Sequence, residues 1–300
     1  MTKNLIVIVG PTAIGKTSMS IKIAKALGCE IVSADSRQFY KEMKIGTAVP
    51  TTQELSEAKH HLIQHISVQD NYSVGNFEKE AIELIEKLFQ NNKYVVLVGG
   101  SGLYVDAITK GLDDFPDIDP RVRTQLQKLL HNEGMEALQD RLKALDPEHY
   151  QKVDINNPHR VMRALEVCIG TGQTYTSFLS KPKKLRSFSV IKIGLTADRE
   201  VIYDRINQRV DIMLEEGLVE EVKGLQPFES LNALNTVGYK EIFNTLNGEW
   251  TLDFAISEIK KNTRRFAKRQ LTWFRKDEEI KWFDYTTNAN MVIDYIKKNS

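Results

Sequence analysis

The chain has 300 residues, of which 41% are hydrophobic and 27% are charged, a composition typical of a globular protein with one large domain or two ordinary ones. Its formal net charge of +1 excludes an evenly basic nucleic-acid-binding protein, so any such contact must come from local clusters of lysine and arginine. No apolar run approaches the roughly 20 residues that cross a bilayer, and we expect no membrane partner.

The first predicted element is a strand at 5–9, which leads directly into the sequence GPTAIGKT. This stretch matches the P-loop pattern G-x-x-x-x-G-K-[ST] at every fixed position. In such a loop the backbone N–H groups converge on an anion at a helix N-terminus, and the lysine adds a positive charge. The hydroxyl of Thr17 is the predicted ligand of a Mg²⁺ ion. The predicted phosphate-binding residues are Gly10, Pro11, Thr12, Ala13, Ile14, Gly15, Lys16 and Thr17.

Three more β-branched apolar runs, at 30–34, 94–98 and 189–195, alternate with helical patterns. The alternation predicts the α/β class, with a P-loop NTPase-like parallel sheet covered by helices. The pattern breaks at 113–123, where two prolines and four acidic residues occur, and leucine periodicity then predicts helices to about residue 178.

We therefore predict a helical insertion domain at 117–186 within a core made of 1–116 and 187–300. The basic, proline-containing stretch 180–187 is the predicted connector back to the core.

Polar clusters follow the second and third of these runs, where parallel strands place ligands beyond their carboxyl ends. Asp35 could serve as a general base or a Mg²⁺ partner, or only as the N-cap of a helix. Ser101 offers a hydroxyl in a glycine-rich turn, or is a turn residue alone. The run at 94–98 ends in Gly99 and Gly100, so the acidic residue of a P-loop ATPase is missing there, which argues against an ATPase motor.

Cysteines and histidines give no sign of a metal site. Cys29 and Cys168 match no metal or redox spacing, and we predict two buried thiols in a cytoplasmic protein. His60, His61 and His65 lack a pattern of nearby acidic ligands, which favours surface or structural roles.

Basic residues cluster in three places. Arg205 and Arg209 share one face of a predicted helix, where they could cover a diphosphate. Arg163 precedes Glu166 by one turn and Arg160 by two turns, which also allows an internal ion pair.

The third cluster is the segment 260–276, which contains no acid. Ile259, Phe266 and Trp273 recur at helical intervals, so we predict a packed apolar stripe with a strongly positive face beside it, either an RNA-phosphate surface or only a solvated one. Its cations are Lys260, Lys261, Arg264, Arg265, Lys268, Arg269, Arg275 and Lys276.

Together these residues resemble the tRNA dimethylallyltransferase (tRNA isopentenyltransferase) family over nearly the whole chain. The resemblance rests on GPTAIGKT, SADSRQFYKEMKIGTAVP, HHLI, VGGSGLYVDA, RVMRALEV, GLVEEV, VGYKE and KRQLTWFR. Ser101 stands where the family commonly has threonine, which keeps the hydroxyl. Gln64 stands where an acid often follows HHLI, which leaves the role of the histidine segment open.

The resemblance implies Mg²⁺-dependent transfer of a dimethylallyl group from dimethylallyl diphosphate to the exocyclic amine of the adenosine 3′ of the anticodon in tRNA. The P-loop and Arg209 would hold the donor diphosphate, Asp35 would accept the amine proton, and Ser101 would position the amine. We expect a cytoplasmic monomer. The residues implied in tRNA binding are Asp35, Ser36, Arg37, Gln38, Ser101, Arg123, His159, Arg160, Val161, Met162 and Arg163.

Two other classes of function stay open at this point. A nucleotide or small-molecule kinase shares the P-loop core and arginines that cover phosphates, and it would transfer a phosphoryl group from ATP. A non-catalytic RNA-binding P-loop protein would not need Asp35.

Overall fold

The computed structural model describes residues 2–179 and 185–300. Its strands are β1 (Asn4–Val9), β2 (Ile31–Ser33), β3 (His60–His61), β4 (Tyr94–Val98), β5 (Ser189–Thr196) and β6 (Lys281–Asp284). Within the described residues they form one six-stranded sheet in the order β3-β2-β4-β1-β5-β6. Every neighbouring pair runs parallel, which confirms the predicted α/β class.

The four predicted strands are all present, but the two edge strands were not predicted. β3 has two residues, and β6 carries Lys281 and Asp284 at its ends, so neither contains an apolar run. Strand β1 lies at the centre with all six residues buried. Its alternate side chains enter two apolar clusters, Ile6 and Ile8 in one and the other apolar residues in the second.

Helices follow most strands and cover the sheet. They are α1 (Lys16–Leu27), α2 (Thr52–Glu57), α3 (Val74–Leu88), α4 (Gly102–Thr109), α5 (Pro120–Leu145), α6 (Pro147–Lys152), α7 (Pro158–Thr171), α8 (Tyr175–Phe178), α9 (Arg199–Glu215), α10 (Leu218–Gly224), α11 (Tyr239–Leu246), α12 (Leu252–Phe274) and α13 (Ala289–Lys298). Short 3₁₀ turns lie at Gln226–Phe228 and Asn232–Leu234.

Local sequence signals explain where helix α3 begins and which face it buries. The Ser73 hydroxyl accepts from the Asn76 N–H, and the Asn76 side chain accepts from the Ser73 N–H, a reciprocal cap that satisfies two free donors. Ala81 and Ile85, one turn apart, are fully buried against the sheet.

Contacts divide the chain into two compact units, Met1–Lys110 with Leu185–Ser300, and Gly111–Lys184. The sequence-based boundaries lie at 116/117 and 186/187. The second unit contains α5 to α8 and its own core, in which Leu138, Leu142 and Leu165 are fully buried. Residues 180–184 of the predicted connector lie outside the described residues.

The two cysteines and the lengths of the apolar helices were also subjects of the sequence-based expectations. Cys29 and Cys168 are both buried free thiols, as predicted. In the part of the chain that is described, no helix combines the length and the apolarity needed to span a membrane.

Candidate active site

The P-loop between β1 and α1 has the backbone form of an anion-binding turn. Gly10, Ala13 and Gly15 have positive φ angles of 149°, 64° and 102°. At Gly10 a Cβ atom would lie 2.5 Å from the carbonyl oxygen of Leu195, so the loop approaches β5 too closely for a side chain. Such alternation turns successive N–H groups into one concavity, and α1 begins directly behind it at Lys16.

Lys16 is held within this loop. Its Nζ donates to the carbonyl oxygens of Gly10 at 3.1 Å and Pro11 at 2.8 Å. Burial of the ammonium lowers the pKa of Lys16 from 10.5 to about 8; the charge of Asp35 opposes this shift and that of Arg209 adds to it. An anion bound in the loop would favour the charged form of this side chain.

Two arginines of α9 reach the same loop. Arg205 Nε donates to the carbonyl oxygen of Ala13 at 2.7 Å, and its guanidinium lies 5.2 Å from the centre of the Tyr285 ring. Arg209 Nη1 donates to Thr12 Oγ1 at 3.4 Å. Burial, and then the neighbouring charge of Arg205, lower the pKa of Arg209. The predicted pair of cations therefore lies at the phosphate loop.

Gln270 of α12 is a site residue that the sequence analysis missed. It is buried, its Oε1 accepts from the Thr12 N–H at 2.8 Å, and its Nε2 donates to the carbonyl oxygen of Gly100 at 3.0 Å. One side chain thus joins the P-loop to the turn between β4 and α4. An uncharged glutamine within the basic run KRQLTWFR was the available signal.

Asp35 and Ser101 come together through Ser36. The Ser36 N–H donates to Ser101 Oγ at 3.2 Å, and the two hydroxyls lie 3.0 Å apart. Asp35 lies in a turn and not at a helix N-terminus, and its Oδ1 accepts from the Arg37 N–H at 3.1 Å. The N-cap alternative for Asp35 is therefore wrong. Ser101 precedes α4 but makes no cap bond with its side chain, which links the two loops.

Arg37 and Gln38, the next two predicted site residues, hold neighbouring backbone segments through hydrogen bonds. Arg37 Nη1 donates to the carbonyl oxygens of Asn232 and Ala233, at 3.1 and 2.9 Å. Gln38 Nε2 donates to two more carbonyl oxygens, of Thr47 at 3.2 Å and Ala48 at 2.9 Å. The orientation of the Gln38 amide is set by these two bonds.

The segment 44–48 is itself held by Glu221 of α10. The Glu221 carboxylate accepts from the N–H groups of Lys44, Ile45 and Gly46 at 2.7–3.0 Å, and from the Tyr239 hydroxyl at 2.6 Å. Burial, with the charge of Glu221 as the next cause, raises the pKa of Tyr239, which stays protonated as a donor.

A cavity of about 620 Å³ brings these groups together within the first unit. Its polar wall includes Thr12, Asp35, Ser101, Arg209 and Gln270. The cavity also has an apolar wall, which includes Val210, Met213, Ile259, Phe266 and Trp273. A phosphate group, a carboxylate base and an apolar substituent can therefore share this space.

The predicted tRNA-binding residues of the second unit differ in their exposure and in their partners. Glu166 pairs with Arg123 at 2.7 Å and with Arg163 at 3.4 Å, so the predicted internal ion pair is present. His159 and Arg160 are exposed. Val161 and Met162 are buried in the core of the unit.

Helix α12 differs from the prediction on two of its faces. Lys260 pairs with Asp211 at 2.5 Å and Lys261 with Glu258 at 2.6 Å, so the eight cations are not all uncompensated. Ile259 is buried, but Phe266 and Trp273 are 38% and 41% exposed and line the cavity. The predicted apolar stripe is therefore wrong beyond Ile259.

The histidine segment has structural partners. His61 Nε2 lies 2.7 Å from a carboxylate oxygen of Glu30, and His60 Nδ1 lies 2.7 Å from the carbonyl oxygen of Ala58. Burial lowers the pKa of His60, which favours its neutral form. Within residues 2–179 and 185–300, no group of three His, Cys, Asp or Glu side chains could hold a metal ion.

Comparison with known proteins identifies the family. Residues 38–277 match the model of the IPP transferase family. The tRNA dimethylallyltransferase of Christiangramia forsetii is 60% identical, with 99% of this chain and 98% of the relative covered. The crystal structure of the full-length tRNA isopentenylpyrophosphate transferase of Bacillus halodurans is 39% identical, covers 99% and 95% of the two chains, and has a TM-score of 0.71.

A eukaryotic dimethylallyltransferase described as acting on tRNA is 26% identical, with a TM-score of 0.83 over 99% of this chain and 80% of its own. The matches extend over both units, well beyond the P-loop that many unrelated enzymes share. This chain therefore belongs to the IPP transferase family, whose members compared above are tRNA prenyltransferases.

Proposed function

We propose that this protein transfers a dimethylallyl group from dimethylallyl diphosphate to the exocyclic amine of the adenosine 3′ of the anticodon in tRNA. The observation that carries the proposal is the shared cavity, in which Thr12 of the P-loop, Asp35 and Ser101 all line one space. A donor diphosphate and an acceptor amine bound to these groups would meet inside it. The names of the relatives support the same activity.

At the donor end, the bond between the allylic carbon and the diphosphate oxygen breaks. Diphosphate leaves intact and gains negative charge as it leaves. The P-loop N–H groups and Lys16 would stabilise that charge, and Arg209 of α9, which contacts Thr12 of the loop, would add to this stabilisation. No phosphoryl group moves, so the loop has a leaving-group role rather than the role it has in a kinase.

At the acceptor end, the adenine nitrogen forms the new bond to carbon and loses a proton. Asp35 would accept that proton, because its carboxylate lines the cavity beside the phosphate loop. Ser101 would orient the amine through a hydroxyl that Ser36 already fixes at 3.0 Å.

The residues present fit a magnesium ion. The Thr17 hydroxyl at the start of α1 and the Asp35 carboxylate near Lys16 are hard oxygen donors, and Mg²⁺ in such sites is completed by substrate phosphates and water. When bound, the ion would neutralise part of the diphosphate charge.

The adenine sits in a stacked anticodon loop and must leave the stack to enter the cavity. Arg37, Gln38 and Ser101 would receive it in the first unit. Arg123 and the exposed side chains His159, Arg160 and Arg163 of the inserted unit would contact the RNA. A cytoplasmic monomer remains our proposal for the acting form.

Incubation with unmodified tRNA and isotope-labelled dimethylallyl diphosphate, followed by nucleoside mass spectrometry, tests this function. We expect labelled isopentenyladenosine at one position of the tRNA. A parallel reaction with labelled ATP tests the kinase alternative, and transfer of phosphate without any prenylated nucleoside would reject our proposal.

A further inference from the structure

Helix α12 exposes two aromatic rings on one face, and both rings line the cavity of the candidate active site. Phe266 and Trp273 lie seven residues apart, two helical turns, and are 38% and 41% exposed. Both line the cavity that contains Asp35 and Ser101. A side chain that lines a cavity and exposes two-fifths of its surface lies at the open side of that cavity.

The ring of Trp273 is held rigidly. Its Nε1 donates to Asp106 Oδ2 at 3.0 Å, and Asp106 is in turn paired with Lys110 at 2.9 Å. Gly102 packs directly against the pyrrole part of the indole, where an added Cβ atom would overlap the ring. A ring fixed in this way offers a flat apolar surface at a small cost in side-chain entropy on binding.

Phe266 is less available than Trp273. The guanidinium of Arg269 lies 5.7 Å from the centre of the Phe266 ring and covers part of it with positive charge. Trp273 therefore offers a less covered aromatic surface than Phe266 at this side of the cavity, and Arg269, which also lines the cavity, supplies a cation that suits an RNA backbone.

The proposed reaction creates a need for such a surface. An adenine that leaves the anticodon stack deprives the base beside it of a stacking partner, and this loss opposes extrusion. Aromatic side chains of proteins replace stacking of this kind irrespective of base identity.

We infer that Trp273 is a stacking platform for the nucleobase adjacent to the extruded adenosine of the acceptor RNA. This inference rests on the proposed function and adds a specific contact outside the reacting atoms. Trp273 is thus a positioning residue, because it would hold the loop while the acceptor adenosine is in the cavity. The effect of one stacked base corresponds to about 5- to 100-fold in RNA affinity.

The competing occupant of this wall is the dimethylallyl group of the donor. In that case the loss of the indole would weaken donor binding and leave RNA binding unchanged. The two occupants therefore predict opposite changes in two affinities that can be measured separately.

A double-mutant cycle between protein and RNA tests the inference. The protein variants are the wild type and Trp273→Leu. The RNAs are an anticodon stem-loop and two versions with an abasic site on the 5′ or the 3′ side of the acceptor adenosine. Phe254→Leu is the matched control, because Phe254 is 48% exposed on the same helix and does not line the cavity. Thermal melts check folding, and Trp273→Met replaces the leucine variant if that variant is unfolded.

We expect Trp273→Leu to weaken binding of the intact stem-loop by about 5- to 100-fold, with unchanged donor affinity. One abasic RNA should lose a similar factor with the wild type and nothing further with the variant, and Trp273→Phe should restore most of the affinity. Phe254→Leu should behave as the wild type. Additive losses with both abasic RNAs, unchanged RNA affinity, or a loss of donor affinity instead would overturn the platform.

A second measurement needs no variant. 2-Aminopurine in place of the stacked base should be quenched when the stem-loop binds the wild type, and a bright complex would contradict the inference. Dimethylallyl transfer by the same preparations separates the two proposals. Active wild type with an additive cycle rejects the platform alone, whereas no transfer rejects the proposed function and the platform with it.

Discussion

The Oε1 atom of Gln270 accepts a hydrogen bond from the backbone N–H of Thr12 at 2.8 Å, which ties helix α12 to the phosphate loop across most of the sequence. The same side chain donates to Gly100 near Ser101. The donor and acceptor ends of the cavity are therefore joined through one buried amide. Displacement of the phosphate loop should therefore change the geometry of both the donor end and the acceptor end of the cavity.

Gln270→Met tests this link, because methionine has a similar volume and no polar group. The Thr12 N–H and the Gly100 carbonyl would lose their partner, at a cost of about 1–3 kcal/mol for a buried group left without one. We expect weaker donor binding and slower transfer together, measured by calorimetry and single-turnover kinetics. Gln226→Met, at an exposed position of a 3₁₀ turn, is the control. Normal values for both quantities in Gln270→Met would remove the residue from the site.

Lys16 gives the site a pH dependence. Its pKa of about 8 means that the free protein loses this charge as the pH rises through 8. Donor affinity should therefore fall above pH 8, by at most about tenfold per pH unit, since one proton is involved. In Lys16→Gln the affinity should be weak at pH 7 and change little up to pH 9. Parallel pH profiles of the two proteins would show that another group titrates.

Asp35→Asn should slow single-turnover prenyl transfer by at least about 100-fold, the usual scale for loss of a general base. Stem-loop affinity should stay near its wild-type value, because the amide keeps the shape of the carboxylate. Asp294→Asn, at an exposed position of α13, controls for loss of a carboxylate elsewhere. A rate close to that of the wild type would remove Asp35 from the mechanism.

A contact between the positive face of α12 and RNA phosphates is best tested with cations that have no acidic partner. Lys268 and Arg275 are exposed on one side of the helix, and no ion pair within the described ranges 2–179 and 185–300 involves either of them. If both contact phosphates, the double variant Lys268→Gln/Arg275→Gln should flatten the plot of log affinity against log salt by about 0.7–0.9 per lost contact.

Lys261→Gln is the matched control for this salt titration, since Lys261 already pairs with Glu258 within the helix. Its slope should equal that of the wild type in filter-binding experiments. An unchanged slope in the double variant, with an intact melt, would assign the RNA contacts to other surfaces.

Glu221→Gln should loosen the segment 44–48 that orients Gln38. The Glu221 carboxylate accepts hydrogen bonds from three backbone N–H groups and a tyrosine hydroxyl. An amide has one acceptor oxygen, and its NH₂ group would face donors with which it cannot bond. We expect a loss of at least about 2 kcal/mol in the free energy of unfolding and faster hydrogen exchange at 44–46. Glu220→Gln, exposed one position away, should change neither. Equal exchange rates in both variants would contradict this role.

The four inner strands of the sheet and the phosphate loop were predictable because each depends on a local pattern. β1 is an apolar run followed at once by the P-loop motif, and α1 must start where that motif ends. That Asp35 and Ser101 line one cavity could be expected, because parallel strands place their carboxyl ends at one edge of the sheet. These features need no knowledge of distant contacts.

Features that depend on tertiary contacts were missed or misassigned. The pairing of Lys260 with Asp211 joins two helices, and nothing in the basic run indicates it. The helical periodicity predicts that Trp273 packs in the core. In the structure, the side of α12 that carries Trp273 faces the cavity instead of a packed neighbour. Gln270 was missed because its partners are backbone groups, whose positions a sequence does not give.

The central claim is that the P-loop holds a leaving group that departs intact while carbon is transferred in the same cavity. A single-turnover reaction with enzyme in excess over a stem-loop RNA and doubly labelled dimethylallyl diphosphate tests it most directly. We predict inorganic diphosphate and prenylated adenosine in equal amounts and at the same rate, with no product when the acceptor adenosine is replaced by a purine nucleoside without the exocyclic amine. Release of single phosphates, or diphosphate release at the full rate with that amine-free RNA, would contradict the account.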